Sequence, residues 1–126
     1  MKAINLNFEI HQPVRLKRYR FFDIGNDHYY FDDFLNDDII TRLTEQSYRP
    51  ACETILRMIE ASKGAFRCSL SISGLALDQF AHYCPEFLDL LKKLADTGCV
   101  EFTATTFSHS LASLFDPEEF AQQVKM

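Results

Sequence analysis

Apolar and polar residues alternate in three short stretches of this chain, and a helical pattern follows each. Across residues 3–10, Ile4, Leu6, Phe8 and Ile10 alternate with Asn5, Asn7 and Glu9. Strand side chains alternate with period two, so the two sets face opposite ways, and His11 continues the polar set. Pro13 stops the strand, because it lacks a backbone donor and fixes φ. A second strand is expected over residues 66–73. There Phe66, Cys68, Leu70 and Ile72 alternate with Arg67, Ser69, Ser71 and Ser73. A third is expected over residues 99–105, where Val100, Phe102 and Ala104 alternate with Glu101, Thr103 and Thr105.

The helical stretches have readable ends. Ser47 is placed to cap a helix running to about residue 62, with Gly64 at its C-terminal stop. Its apolar stripe is Ala51, Ile55, Met58 and Ile59. Pro85 opens the next helix, Phe87, Leu88, Leu91, Leu94 and Ala95 form its stripe, and Gly98 ends it. Asp116-Pro117-Glu118-Glu119 is an N-terminal signature, with a cap, a first-turn proline and Glu119 at the capping-box position. Phe120 and Val124 are then expected to begin a buried face.

Lys63-Gly64-Ala65-Phe66 and Thr97-Gly98-Cys99-Val100 form a weak repeat, 34 residues apart. Each is a helix stop running into a strand, at a spacing that suits a βα unit. Such units give parallel strands joined by crossovers. The fold class is therefore α/β. An open doubly wound sheet buries both faces and reads as nearly continuous Val, Ile and Leu. These strands are polar on one face instead. Either they belong to a barrel with a polar, ligand-holding interior, or they form a sheet with one solvent face. Parallel strands rarely leave a face to water, so the barrel is the preferred reading. Three strands do not close a barrel, which takes about eight. The last helix also reaches Met126 without a C-cap. The expectation is one domain, residues 1–126, forming the N-terminal part of a larger β/α-barrel and cut within its third helix.

Composition narrows the partners. The chain has 126 residues, 47% of them apolar, which suits a single globular domain rather than disorder. Its net charge is −5 and its Lys and Arg residues form no long run, which disfavours duplex nucleic acid. The N-terminal residues lack the apolar core of a secretion signal, and no apolar run reaches membrane-spanning length. A soluble, cytoplasmic protein with no membrane partner is expected. Cys52, Cys68, Cys84 and Cys99 are spaced 16, 16 and 15 apart with no CxxC pair. Buried free thiols are expected, since a zinc site needs closer ligand pairs. Neither a metal nor another cofactor is expected.

The candidate chemistry sits at the strand ends. Glu9 and His11 share the polar face at the C-terminal end of the first strand, where α/β folds build their sites. Glu9 either orients His11 by accepting its N–H or contacts a ligand itself. Glu101 lies at the opposite end of its strand, where a salt bridge with Arg67 is the simpler role. His109 falls on the polar face if extended structure continues that far, so it either contacts ligand or structures the loop. His82 is expected to be an ordinary surface or packing residue, and His28 sits in a loop. Residues 14–36 combine Arg15, Lys17, Arg18 and Arg20 with Asp23, Asp27, Asp32 and Asp33, which alternate with Phe21, Phe22, Tyr29, Tyr30, Phe31 and Phe34. Long loops on the site side of a barrel commonly serve binding. Rings and carboxylates together suit carbohydrate. The alternative is a loop pinned by its own aromatics.

Glu9-Ile10-His11-Gln12-Pro13 resembles the first signature of glycoside hydrolase family 57, the α-amylase and 4-α-glucanotransferase family, commonly His-x-His-Gln-Pro. His11, Gln12 and Pro13 match, and Glu9 replaces the first His. Phe107-Ser108-His109-Ser110-Leu111 resembles the second signature, with Ser110 where Pro is usual. The resemblance implies a barrel of seven strands, (β/α)7, and retaining cleavage or transfer of α-glucosidic bonds. It implies a Glu nucleophile and an Asp acid/base from two later signatures, which find no match before Met126. The chain is then expected to hold substrate-binding residues Glu9, His11, Gln12 and His109 without catalytic ones. By itself it should be inactive toward an α-glucan or maltooligosaccharide and prone to self-association. Two other readings stay open. One is a metal-dependent deacetylase or mannosidase barrel, which wants a closely spaced His pair that is absent here. The other is a non-catalytic carbohydrate-binding barrel, favoured by Glu9.

Overall fold

In the computed structural model, which describes residues 4–126, a parallel sheet of three strands lies at the centre. The strands are β1 (Asn7–Ile10), β2 (Cys68–Ile72) and β3 (Val100–Thr103), in that order. All three fall inside the expected stretches and are shorter than them. Residue 3, the expected start of the first, lies outside the described residues.

The register aligns the polar positions into rows. Asn7 pairs with Ser69 and Ser69 with Glu101; Glu9 pairs with Ser71 and Ser71 with Thr103. Phe8, Leu70 and Phe102 form the matching apolar row on the other face. Period-two alternation therefore yields one polar and one apolar face. The middle strand is buried from Cys68 through Ser71. The outer strands are not: Phe8 and Phe102 remain 38% and 42% exposed. The apolar face has helical cover at its centre and little at its two edges.

Five helices follow the chain: α1 (Asp33–Leu43), α2 (Arg49–Ala61), α3 (Gly74–Tyr83), α4 (Pro85–Asp96) and α5 (Pro117–Lys125). The helix expected from Ser47 to about residue 62 is α2, but it is entered directly from α1, so Ser47 caps nothing and the capped end lies at the start of α1. Asp32 is the cap, accepting from the backbone N of Leu35 at 3.0 Å. A π-type turn, Thr44–Tyr48, joins α1 to α2 without a break. Pro50 explains the turn. It has no N–H for the carbonyl one turn back, and its ring crowds that carbonyl, so the chain widens ahead of it. In α2, Cys52, Ile55 and Ile59 are buried, whereas Ala51 and Met58 of the expected stripe are exposed. Those two face the groove beside β1, where no further element packs among the described residues.

Both repeat glycines hold positive φ, Gly64 at 81° and Gly98 at 63°. These are the helix stops expected from the repeat, in the region that favours glycine. Helix α5 starts as its sequence implies. Asp116 accepts from the backbone N of Glu118 and of Glu119, each at 3.0 Å. Glu119 does not complete a capping box; its carboxylate accepts from Gln123 Nε2 at 2.7 Å. The expected buried face of this helix is also corrected. Phe120 is partly exposed, Val124 is 62% exposed, and the buried residue is Gln123. Helix α5 docks through hydrogen bonds to a loop rather than through its apolar stripe.

The core lies between the sheet and α1–α4. Ile40, Leu70, Phe80, Phe87 and Leu94 are fully buried, and each such side chain contributes roughly 1.5–3 kcal/mol. Phe80 and Phe87 meet edge to face at 4.7 Å, and Tyr48 packs on both. Cys52, Cys68, Cys84 and Cys99 are all buried and free, as expected. Burial pushes the Cys52 thiol up to about 11.

Candidate functional site

Two segments distant in sequence meet above the C-terminal ends of the strands. Residue 11 follows β1 directly and places its ring over the polar face. The second segment arrives by a turn. The backbone N of His109 bonds the carbonyl of Thr106 at 3.0 Å, and His109 holds a positive φ of 52°. Few non-glycine residues adopt that region, though His does so more readily than most. Extended structure therefore does not continue to residue 109, and the parity that suggested its position does not apply. The turn folds the chain back and lays its ring against His11, with centroids 4.7 Å apart and planes 30° from parallel.

The cluster continues downward. His109 Nδ1 lies 3.2 Å from Glu9 Oε1 and 3.3 Å from Thr105 Oγ1. Glu9 thus partners His109, not His11 as one reading of the sequence had it. His11 Nδ1 instead meets Ser73 Oγ at 2.7 Å. Ser73 also caps α3, its oxygen accepting from the backbone N of Ala76 at 3.3 Å. Where the Ser73 hydroxyl donates its hydrogen to Nδ1, the His11 ring carries its proton on Nε2. Burial, first, and the neighbouring His109, second, hold the His11 imidazole below its usual range, while Glu9 works in the opposite direction. His11 is therefore a ring held toward its neutral form, beside a carboxylate that offers acceptors.

Gln12 is placed differently. Its Nε2 donates to Tyr48 Oη at 2.8 Å and its Oε1 accepts from Arg15 at 2.9 Å. Its backbone carbonyl accepts from Gln79 Nε2 at 2.7 Å. The amide is engaged with the frame, and Tyr48 reaches it from the π-type turn. Glu101 and Arg67 do not form the expected ion pair. They line a separate cavity at the N-terminal ends of the strands, with Asn5 and Ser69.

Several positioning residues carry no motif. Gln123, buried under the loop, accepts from the backbone N of Ser108 at 3.3 Å and from Ser110 Oγ at 3.0 Å. Gly74 lets the loop approach: a Cβ there would stand 2.2 Å from the Phe107 ring. The backbone N of Leu75 then bonds the Phe107 carbonyl at 3.0 Å. The only sequence signals were a glycine at a strand-to-helix junction and a glutamine one turn after Glu119.

The long loop is pinned at its base. Asn36, buried, accepts from Arg15 N at 2.8 Å and donates to Arg15 O at 3.1 Å. Lys17 pairs with Asp27, and Tyr19 stacks on Tyr30. Phe21 and Phe22 stand out in solvent at its tip. His82 is exposed and packs edge-on against Tyr83. Among the described residues, no group of three or more His, Cys, Asp and Glu is arranged to hold a metal ion, and no helix is long and apolar enough to cross a membrane.

Comparison with known proteins adds to this geometry. The family described as Glycosyl hydrolase family 57 matches residues 5–126. A protein of Methanocaldococcus jannaschii named "Putative alpha-amylase" is 37% identical over 98% of this chain and 26% of its own length. The "Alpha-amylase" of Pyrococcus horikoshii is 30% identical over 70% of this chain and 13% of its own. The chain thus spans about a quarter or less of the curated relatives it matches. Among solved structures, the 4-alpha-glucanotransferase from Thermococcus litoralis superposes on 97% of this chain and 15% of its own, with a TM-score of 0.67 and 21% identity. That likeness is one of fold.

Proposed function

The chain belongs to glycosyl hydrolase family 57, and we propose that it forms the N-terminal part of a retaining enzyme that cleaves or transfers α-glucosidic bonds. On this reading residues 1–126 are the first units of one (β/α)7 barrel, and the polar sheet face lines its interior. Glu9, His11, Gln12 and His109 form part of the substrate-binding surface. The neutral His11 ring donates from Nε2 to a sugar oxygen. Glu9 accepts from a hydroxyl while His109 steadies it. Gln12 contributes by holding Arg15 and the loop base. The nucleophile and acid/base lie beyond residue 126. Two carboxylates flanking one bond are what glycoside cleavage requires, so the chain alone binds without cleaving. Four buried free thiols support a reducing, cytoplasmic setting.

One observation carries this reading: the segments around His11 and His109, which resemble two signatures of the family, stack their rings on the polar strand ends. The test is to titrate maltotriose into the chain while following the His11 and His109 ring signals by NMR, with reducing sugar assayed in parallel. Saturable shifts of both rings without sugar release are expected. Rings that stay put would remove the substrate-binding reading. Hydrolysis abolished by Glu9→Gln would make Glu9 catalytic and move the active carboxylates into this chain.

A further inference from the structure

A second cavity lies behind Gln12, between the long loop and α3, and shares none of the three clustered side chains. It measures about 320 Å³, and its walls include Tyr29, Phe31, Asp33, Asp78, Gln79 and Tyr83. Small-molecule sites start at about 300 Å³, so this one suits a ligand of one or two sugar rings rather than a long chain.

The lining chemistry is directional. Tyr29 and Phe31 meet edge to face at 6.1 Å and keep about half their surface in solvent, so ring faces remain open to a flat ligand. Tyr29 Oη shares its one hydrogen across the two Asp33 oxygens, at 2.6 and 2.7 Å, which holds the ring in place. Asp78 is exposed on α3. Gln79 is 4% exposed, and its amide orientation is decided by Nε2 donating to Gln12 O and to Leu75 O. Its Oε1 then has no partner. The walls thus supply aromatic faces and, at Asp78, an exposed carboxylate acceptor. Pyranose rings bring the complement, with C–H faces for stacking and hydroxyls that donate.

We propose that this cavity is a second carbohydrate-contact site, holding one or two glucosyl units of a substrate arm through Tyr29, Asp78 and Tyr83. The identity of the sugar rests on the α-glucan reading above. Gln79 links the two sites physically, since the amide that lines the cavity also anchors the carbonyl of Gln12 beside His11.

The test uses the isotopically labelled 126-residue chain titrated with maltotriose. The Asp78 and Gln79 amide signals and the Tyr83 ring signals report the cavity. The His11 and His109 ring signals report the strand ends. Saturable shifts at the cavity are expected. Asp78→Ala and Tyr29→Ala, both at exposed positions, should each weaken that curve by about three- to tenfold. Shifts at the strand ends with a silent cavity would overturn the second site and leave the proposed function standing. Cavity curves unmoved by both substitutions would overturn it equally. Silence at both places would remove the two together.

Discussion

His11 and His109 stack at 4.7 Å although nothing local in the chain brings them together. Two rings that close resist carrying two charges, and burial adds to this at His11. The His11 imidazole should therefore titrate below 6.5, its ordinary value. A folded-state value below the unfolded one means that the unfolded chain binds more protons between the two. The contribution of His11 to stability is thus complete above about pH 6.5 and is lost as pH falls through the lowered value. An NMR titration of the His11 ring checks this. His109→Ala should raise the His11 value, and Glu9→Gln should lower it further.

Gly74 and Phe107 occupy space that leaves no room for a methyl group. Gly74→Ala should destabilise the fold by about 1–3 kcal/mol, the usual cost of overpacking. Urea unfolding would measure it. The double variant with Phe107→Ala should lose less than the sum of its two single changes, because the second substitution removes the clash. Full additivity would mean that the ring is not what the alanine strikes.

Gln123 holds the second segment from beneath. Gln123→Leu keeps the volume and removes the acceptor shared by Ser108 N and Ser110 Oγ, at an expected cost of about 1–3 kcal/mol. The more telling readout is the His109 ring. Its signals should lose the ring-current shift imposed by His11 as the turn loosens. A variant destabilised with His109 unmoved would make Gln123 a packing residue only.

Open sheet edges predict association. Phe8 and Phe102 stand on outer strands whose free edges and apolar sides are ready to pair with another chain. Ile72, Leu77, Leu88 and Leu91 line an apolar groove of about 410 Å³ beside β3. Sedimentation should show concentration-dependent self-association, reduced by Phe102→Lys. A monomer at all concentrations would mean that these edges are protected.

Local rules carried the strand positions, the two glycine stops, the Asp116 cap and the Glu9–His11 face, because each depends on neighbours within a few residues: period-two alternation, a positive φ, a side chain reaching its own helix end. The family followed from the same scale, since His11-Gln12-Pro13 and the segment around His109 are contiguous words. What the chain could not disclose locally was decided by contacts across it. The helix from Asp33 to Ala61 absorbs a π-type turn because Pro50 sits inside a run that tertiary packing keeps helical. Phe120 and Val124 face outward because hydrogen bonds through Gln123, not apolar burial, dock their helix. His109 reaches Glu9 through a left-handed turn held by Phe107, Gly74 and Gln123, and no periodicity encodes a reversal of direction. Alternation specifies which way a side chain points along its own strand; only the packed chain determines what it meets.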